Sequence, residues 1–303
     1  MARKHKNVSM IETPDKEQTE QWEFPVSQEE LVTSKGISSG IHAVIRGDTG
    51  AVIGDYKEQK VLPYGELVET FETALNAAQI PFKRNLITTQ NGSRFFGKYD
   101  LNGGTSIANE SFKSILRLQS SHDGSLTPGF SFEAERLACL NGMMLMASVF
   151  AIFKKHAESL DLSFIGKNVV MAIEAGQNHL TKTVEGMAKI EVNDGQARNI
   201  LSNIVSKGKL AGVSARTGYL INHNWQNPSE DEKRLGNTLF RLYNAATRLT
   251  RDIDRVGRFE LSRRANLYLT GAFDLAARQP NSLSALLATP TELLEFDEIT
   301  VTA

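Results

Sequence analysis

A single cysteine, Cys139, is all the thiol chemistry this 303-residue chain has. No intrachain disulfide can form, and a lone thiol fits a reducing cytosol. No base stands near Cys139 in sequence, so it reads as a small buried apolar residue rather than a nucleophile. Long apolar runs are missing too. The longest uncharged run, Leu137 to Phe153, falls short of the ~20 residues a membrane span needs, and Asn141 and Gly142 interrupt it. The basic start (Arg3, Lys4, Lys6) is not followed by the apolar stretch of a signal peptide. Neither sign of charge is in excess: 34 Lys+Arg stand against 35 Asp+Glu, a net of −1. This excludes a histone-like polycation and an acidic disordered chain. It leaves room for a local basic patch.

Motifs for bond-making chemistry are equally scarce. Gly208-Lys209 has neither the glycine spacing nor the following Ser/Thr of a phosphate-cradling loop. No G-x-G-x-x-G follows a strand, and there is no H-E-x-x-H. His5, His42, His122, His156, His179 and His223 are scattered, and one cysteine makes no zinc spacing. Asp48-Thr49-Gly50 has the triplet of an aspartic protease, but such enzymes need two aspartates sharing a proton. It reads as a turn. No cofactor or metal is expected. The one pair able to act as base or ligand is His122-Asp123, although Asp-Gly at a hairpin tip also makes a turn.

What is present is an ordered set of elements. Residues 1–36 are polar, with seven acids and five bases, and read as a flexible arm. Ile41 to Arg46 and Ala51 to Asp55 flank the turn cluster Gly47 to Gly50 as a hairpin. A helix follows from about Pro63 to Gln79, with Leu67, Val68, Phe71, Leu75 and Ala78 on one face. Leu86 to Gln90, Asn91-Gly92 and Ser93 to Tyr99 form a hairpin signal with a type I′ turn. A second hairpin runs from about Ile115 to Cys139, turning at Ser120 to Ser125, with Phe130, Phe132 and Ala134 alternating on its return. A long helix is expected over Leu140 to Ser159, further helix over 160–210, a loop over Gly218 to Pro228, and helix over Asp231 to Gln279 with a candidate break near Gly257. The expectation is an α+β fold: an antiparallel sheet of hairpins packed by long helices, with a helical C-terminal half. The organisation reads as an arm (1–36), an α+β core (37–160), a helical region (161–280) and an acidic tail (281–303).

Charge is unevenly placed along this order. Lys233 to Arg278 holds ten bases, nine of them arginine, and four acids, a local net of +6. On a helix Arg241, Arg248, Arg251, Arg255 and Arg258 share about 100° of arc, opposite Leu242, Leu249, Ile253 and Val256. That pattern predicts an outward arginine stripe suited to anions. The hairpin after the first helix adds Lys83, Arg84, Arg94, Lys98 and Tyr99 around Phe95 and Phe96. Cations interleaved with aromatics can hold single strands, pairing phosphates and stacking bases. After Arg278 no base appears, while Glu292, Glu295, Asp297 and Glu298 are acidic, a tail suited to a protein partner.

The segments Ser120-Ser121-His122-Asp123-Gly124-Ser125 and Arg136-Leu137-Ala138-Cys139-Leu140-Asn141-Gly142 resemble two patterns of a phage and plasmid protein family, domain of unknown function 932. Ile41 to Tyr56 is similar to an early segment of that family, and the likeness spans about residues 40–280. Gln119 stands ahead of the first motif, where the family's Asn is absent. The resemblance implies a mobile-element origin and no assured activity. The element order also resembles the core of Rad52-type single-strand annealing proteins. That likeness implies a cofactor-free protein forming rings or filaments and holding single strands in a basic groove between sheet and helix. Mapped here, the groove involves Lys83, Arg84, Arg94, Lys98, Lys154 and Lys155.

The leading expectation is a cytosolic, non-catalytic protein that binds and anneals single-stranded DNA in recombination. Its partners would be single-stranded nucleic acid and further copies of itself, with no membrane. Two alternatives stay open: a hydrolase or nuclease using His122 and Asp123, and a host-interaction or anti-defence protein acting through its acidic tail.

Overall fold

The computed structural model describes residues 22–56, 61–137, 141–143, 152–153, 162–208, 215–251 and 279–288, with Phe273, Ala276 and Ala277 between the last two. Two antiparallel sheets and a set of helices make an α+β fold. The smaller sheet contains β1 (Val26–Val32), β2 (Ser38–Arg46) and β3 (Val52–Tyr56), in that order. The larger one runs β4 (Phe82–Thr89), β5 (Arg94–Ile107), β6 (Glu110–Ser121), β7 (Gly129–Arg136), β8 (Asn141–Met143), and β9 (Ile152–Phe153) also pairs with β7. The described helices are α1 (Tyr64–Ala77), α2 (Ser163–Lys189), α3 (Asp194–Gly208), α4 (Ala215–Gln226), α5 (Glu230–Lys233), α6 (Leu239–Arg251) and α7 (Pro280–Leu287). Among the described residues no helix is long and apolar enough to cross a membrane.

Local chemistry explains most of these elements. Pro63 precedes α1, whose Tyr64, Leu67, Val68, Phe71 and Leu75 are buried on one helical face. The Asp48 cluster is a turn: Arg46 binds both Asp48 oxygens at 2.6 and 2.9 Å, and Gly50 donates to the Arg46 carbonyl at 2.7 Å. The Arg46 guanidinium first, with backbone bonds from Asp48 and Thr49, holds the Asp48 carboxyl below its ordinary range. The β4–β5 turn falls at Asn91-Gly92 but is wider than a two-residue type I′ turn. Thr89 pairs with Arg94, and Gln90, Asn91 and Gly92 all take positive φ. The tight turn lies at Ala108-Asn109, joining Ile107 to its partner Glu110 with φ of 51° and 62°.

Four expectations are corrected. Residues 22–36 do not belong to a flexible arm, because Trp22 is buried against Phe95 and β1 pairs with β2 from Val26 onward. The helix over Leu140 to Ser159 is replaced, where residues are described, by β8 and β9. Both add to the free side of β7, whose backbone groups need partners. The loop over Gly218 to Pro228 is the helix α4: its Asn residues are interleaved with Gly218, Ile221, Asn222 and Trp225, which are buried at helical spacing. The Asp231–Gln279 helix is interrupted at its start, where Gly236 takes a φ of 64° between α5 and α6. The first part of the expected tail, residues 281–288, is described and lies mostly in α7, whereas residues 289–303, with its four acids, lie outside the described residues, as do residues 1–21.

The core sits between one face of the large sheet and the helices. Phe71 packs its ring on Tyr99 and Phe130, with centroids 4.8 and 5.3 Å away. Helix α2 crosses β7 so closely that a Cβ at Gly176 would lie 2.4 Å from the Phe132 ring. At the far edge, fully buried Arg136 donates to Glu110 at 2.8 Å and approaches Asn244 of α6 at 3.4 Å, tying the sheet to that helix. The small sheet docks through β3. A Cβ at Gly54 would meet the His122 carbonyl oxygen at 1.9 Å, and the Tyr56 hydroxyl donates to the Ser121 carbonyl at 3.2 Å. Gly54→Ala is therefore expected to force the sheets apart and cost roughly 1–3 kcal/mol, read from urea unfolding.

Candidate nucleic-acid interface

Side chains alternate across a strand, so the large sheet has two unlike faces. The inner face carries Phe95, Tyr99, Leu116, Leu118, Phe130 and Phe132, all buried beneath α1 and α2. The outer face carries Lys83 of β4, Arg94, Lys98 and Asp100 of β5, Lys113 and Arg117 of β6, and Glu133 and Glu135 of β7. Register places Lys98 directly opposite Arg117, and Lys83 opposite Asp100. Two cations facing each other across a ladder repel. Carboxylates stand between them: Arg117 binds Glu133 at 2.7 Å, and Lys113 binds Asp100 at 2.9 Å. Lys98 reaches Asp100 and Glu135 only at 3.6 Å each. The Glu133 side chain is 5% exposed while Lys98 and Lys113 keep 31% and 34%, so the lysines are the groups offered to solvent.

The expected hairpin cluster is divided between these faces. Lys83, Arg94 and Lys98 lie outward. Arg84 and Tyr99 lie inward, where Arg84 pairs with Glu72 of α1 at 2.5 Å and the Tyr99 hydroxyl donates to the same carboxylate at 3.1 Å. Burial foremost, and then the Glu72 charge, push the Tyr99 phenol far above its ordinary range. Phe95 and Phe96 are both buried, so neither is a platform for stacking bases. Lys154 and Lys155 lie outside the described residues.

His122 and Asp123 have different partners. The His122 ring is buried, stacked on Tyr64 at 4.1 Å, with Phe24 at 6.3 Å. Asp123 accepts from Arg94 Nε at 3.0 Å and from the Ser125 backbone at 2.9 Å. Burial pushes the Asp123 carboxyl up, but the bonds from Ser125, Ser121 and Arg94 outweigh it and hold the group below its ordinary 3.8. A depressed folded value means stability that is full above the unfolded value and drains as pH falls through the folded one. Thermal melts against pH should therefore show Asp123→Asn less stable than the native chain above about pH 4, the two converging as pH falls through the depressed folded value.

The arginine stripe of α6 does not face outward where it is described, because the helix is buried on nearly every side from Leu239 to Thr247. Arg241 lies 3.7 Å above the Trp225 ring, and its burial draws the guanidinium below its ordinary value against the opposing charge of Asp194. Arg248 pairs with the buried carboxylate of Glu232, its Nε at 3.1 Å, and approaches the Asn227 carbonyl at 3.3 Å. These two arginines tie α6 to α4 and α5. The Arg251 side chain, Arg255 and Arg258 lie outside the described residues.

The outer-face residues Asp100, Lys113, Arg117, Glu133 and Glu135 were not among the expected site residues. Their signal was the alternation of polar and apolar positions in β7, Phe130 to Glu135, and around Leu116 to Gln119 in β6, which Ile115 breaks. Among the described residues no cluster of His, Cys, Asp and Glu is arranged to hold a metal ion. A family profile described as "Domain of unknown function (DUF932)" matches residues 54–280. None of the curated proteins and none of the solved structures matches the chain.

Proposed function

The chain belongs to the DUF932 family, and from that premise we propose that it binds single-stranded nucleic acid on the outer face of its large sheet and anneals complementary strands. The observation that carries this reading is the in-register opposition of Lys98 and Arg117 on β5 and β6, flanked by Arg94, Lys83 and Lys113. Five cations on three adjacent strands face away from α1 and α2. Three carboxylates on the same face temper them, and the loose contacts of Lys98, at 3.6 Å, are readily exchanged for phosphate oxygens. Among the described residues this face offers no exposed aromatic ring. The strand is thus held by its backbone, and its base edges stay free to find a complement. The work is non-covalent and belongs in the cytosol of a bacterial host, as the lone thiol and the phage- and plasmid-like motifs suggest.

The test is annealing of two complementary labelled oligonucleotides, followed by energy transfer at low salt. Acceleration over the spontaneous rate is expected at stoichiometric protein. No acceleration together with no binding of single strands would sink the proposal.

A further inference from the structure

The strands β1 and β2 continue past the small sheet as a free two-stranded ribbon. Strand β3 pairs with β2 only over His42 to Ile45, whereas β1 and β2 remain paired out to Val32 and Ser38. Residues 27–40 are exposed on both strands and at the turn. A Cβ built at Gly36 or Gly40 would meet nothing within 4 Å. The turn is nevertheless well formed: Gly36 donates to the Thr33 carbonyl and Thr33 to the Ile37 carbonyl, each at 2.8 Å. Its apolar side chains point into solvent, with Leu31, Val32 and Ile37 exposed to 41%, 59% and 62%. A structured ribbon with a bare apolar tip marks a contact surface.

A receiving surface exists on the same molecule. Helices α1 and α2 diverge over a groove of about 630 Å³, lined by Glu69, Thr73, Ala74, Ala77, Gly166 and Val170. Its walls are small side chains and exposed aliphatics, Val170 at 40% with Met171 beside it at 57%. Glu69 stands at its edge, and the ribbon turn carries Lys35, so the charges are complementary. The ribbon joins the body at the N-terminal end of α1, where Phe24 packs on Tyr64. The groove occupies the C-terminal half of α1, from Glu69 to Ala77. Tip and groove are both exposed in a single copy, and among the described residues the ribbon does not reach the groove.

We propose that the ribbon tip of one copy seats Val32 and Ile37 in the α1–α2 groove of the next, with Lys35 facing Glu69. The two surfaces differ, so the contact is head-to-tail and builds a ring or an open filament rather than a two-fold dimer. Two apolar side chains bury far less than the ~800 Å² per partner of a stable interface. Each contact is therefore weak alone and reinforced when neighbouring copies share one strand. The contact rests on the annealing reading for its purpose and not for its geometry. Its test uses no nucleic acid, so the two can fail separately.

The test is disulfide trapping in the full chain with Cys139→Ser. One preparation carries Ile37→Cys and the other Ala77→Cys. On mixing and mild oxidation, a disulfide-linked heterodimer is expected at least tenfold above that from Val52→Cys, an equally exposed control. Ile37→Asp should lower the weight-average mass by sedimentation at high concentration without moving the melting temperature. A heterodimer yield no greater than the control overturns the proposal. So does an intramolecular disulfide in the double variant with no heterodimer, which would mean that the ribbon folds back on its own groove.

Discussion

Replacing Lys98, Arg117 and Glu133 together by glutamine is expected to weaken single-strand binding about a hundredfold and to leave the fold in place. The choice of three positions follows from the geometry. Arg117 holds the Glu133 carboxylate, whose side chain is 5% exposed, and removing the arginine alone would strand a buried charge. Neutralising both ends of that pair avoids the penalty. Lys98 makes only long contacts and is 31% exposed, so its loss costs the fold little. Binding should respond quite differently. Each cation that meets a phosphate contributes a charge-assisted hydrogen bond, and losing two at about tenfold each gives the hundredfold. Fluorescence anisotropy on a labelled oligonucleotide at fixed salt measures it, with the melting temperature as control. Glu135→Gln, which removes a carboxylate competing for Lys98, should tighten binding several-fold in the same assay.

The largest effect on stability is expected at Arg136→Ala. This guanidinium is fully buried and bridges β7 to Glu110 of β6, to Asn244 of α6 and to the Asp231 carbonyl at 3.4 Å. Alanine would leave the Glu110 carboxylate without its cation and three elements without their joint. Breaking a buried pair from one side costs roughly 3–5 kcal/mol. Urea unfolding of the native chain and the variant gives the number. The double replacement Arg136→Met with Glu110→Leu should recover most of the loss, because apolar residues of similar volume refill the site and no charge is left buried. If the single and double variants were equally unstable, packing rather than charge would be the reason for Arg136.

The parts of the fold that were legible from sequence are those fixed by local pattern. The face of α1 could be read from Leu67, Val68, Phe71 and Leu75 because the helical period alone places them, and all four are buried. The hairpin joining β4 to β5 could be located from Asn91-Gly92. Its width could not, because Gln90 also takes positive φ, which its side chain does not advertise. The Ala108-Asn109 turn was hidden for the same reason. Strand β8 has three residues, too few to show a period, and exists because β7 offers it backbone partners. Helix α4 was concealed by asparagines whose local bonding favours turns, until Ile221 and Trp225 found a core to enter. Charge misled in a more general way. The arginines of α6 made a stripe on paper, but Trp225 and Glu232, distant in sequence from most of them, receive Arg241 and Arg248. The opposition of Lys98 and Arg117 depends on the register set by two loops, which composition does not encode.

The most direct measurement is the salt dependence of single-strand binding by the full chain. With five outer-face cations engaged, log K should fall against log salt with a slope near −3.5, at about 0.7 per phosphate. The variant lacking Lys98 and Arg117 should fall to a slope near −2. A flat dependence, or one that the variant shares with the native chain, would mean that the outer face of the large sheet is not where nucleic acid binds.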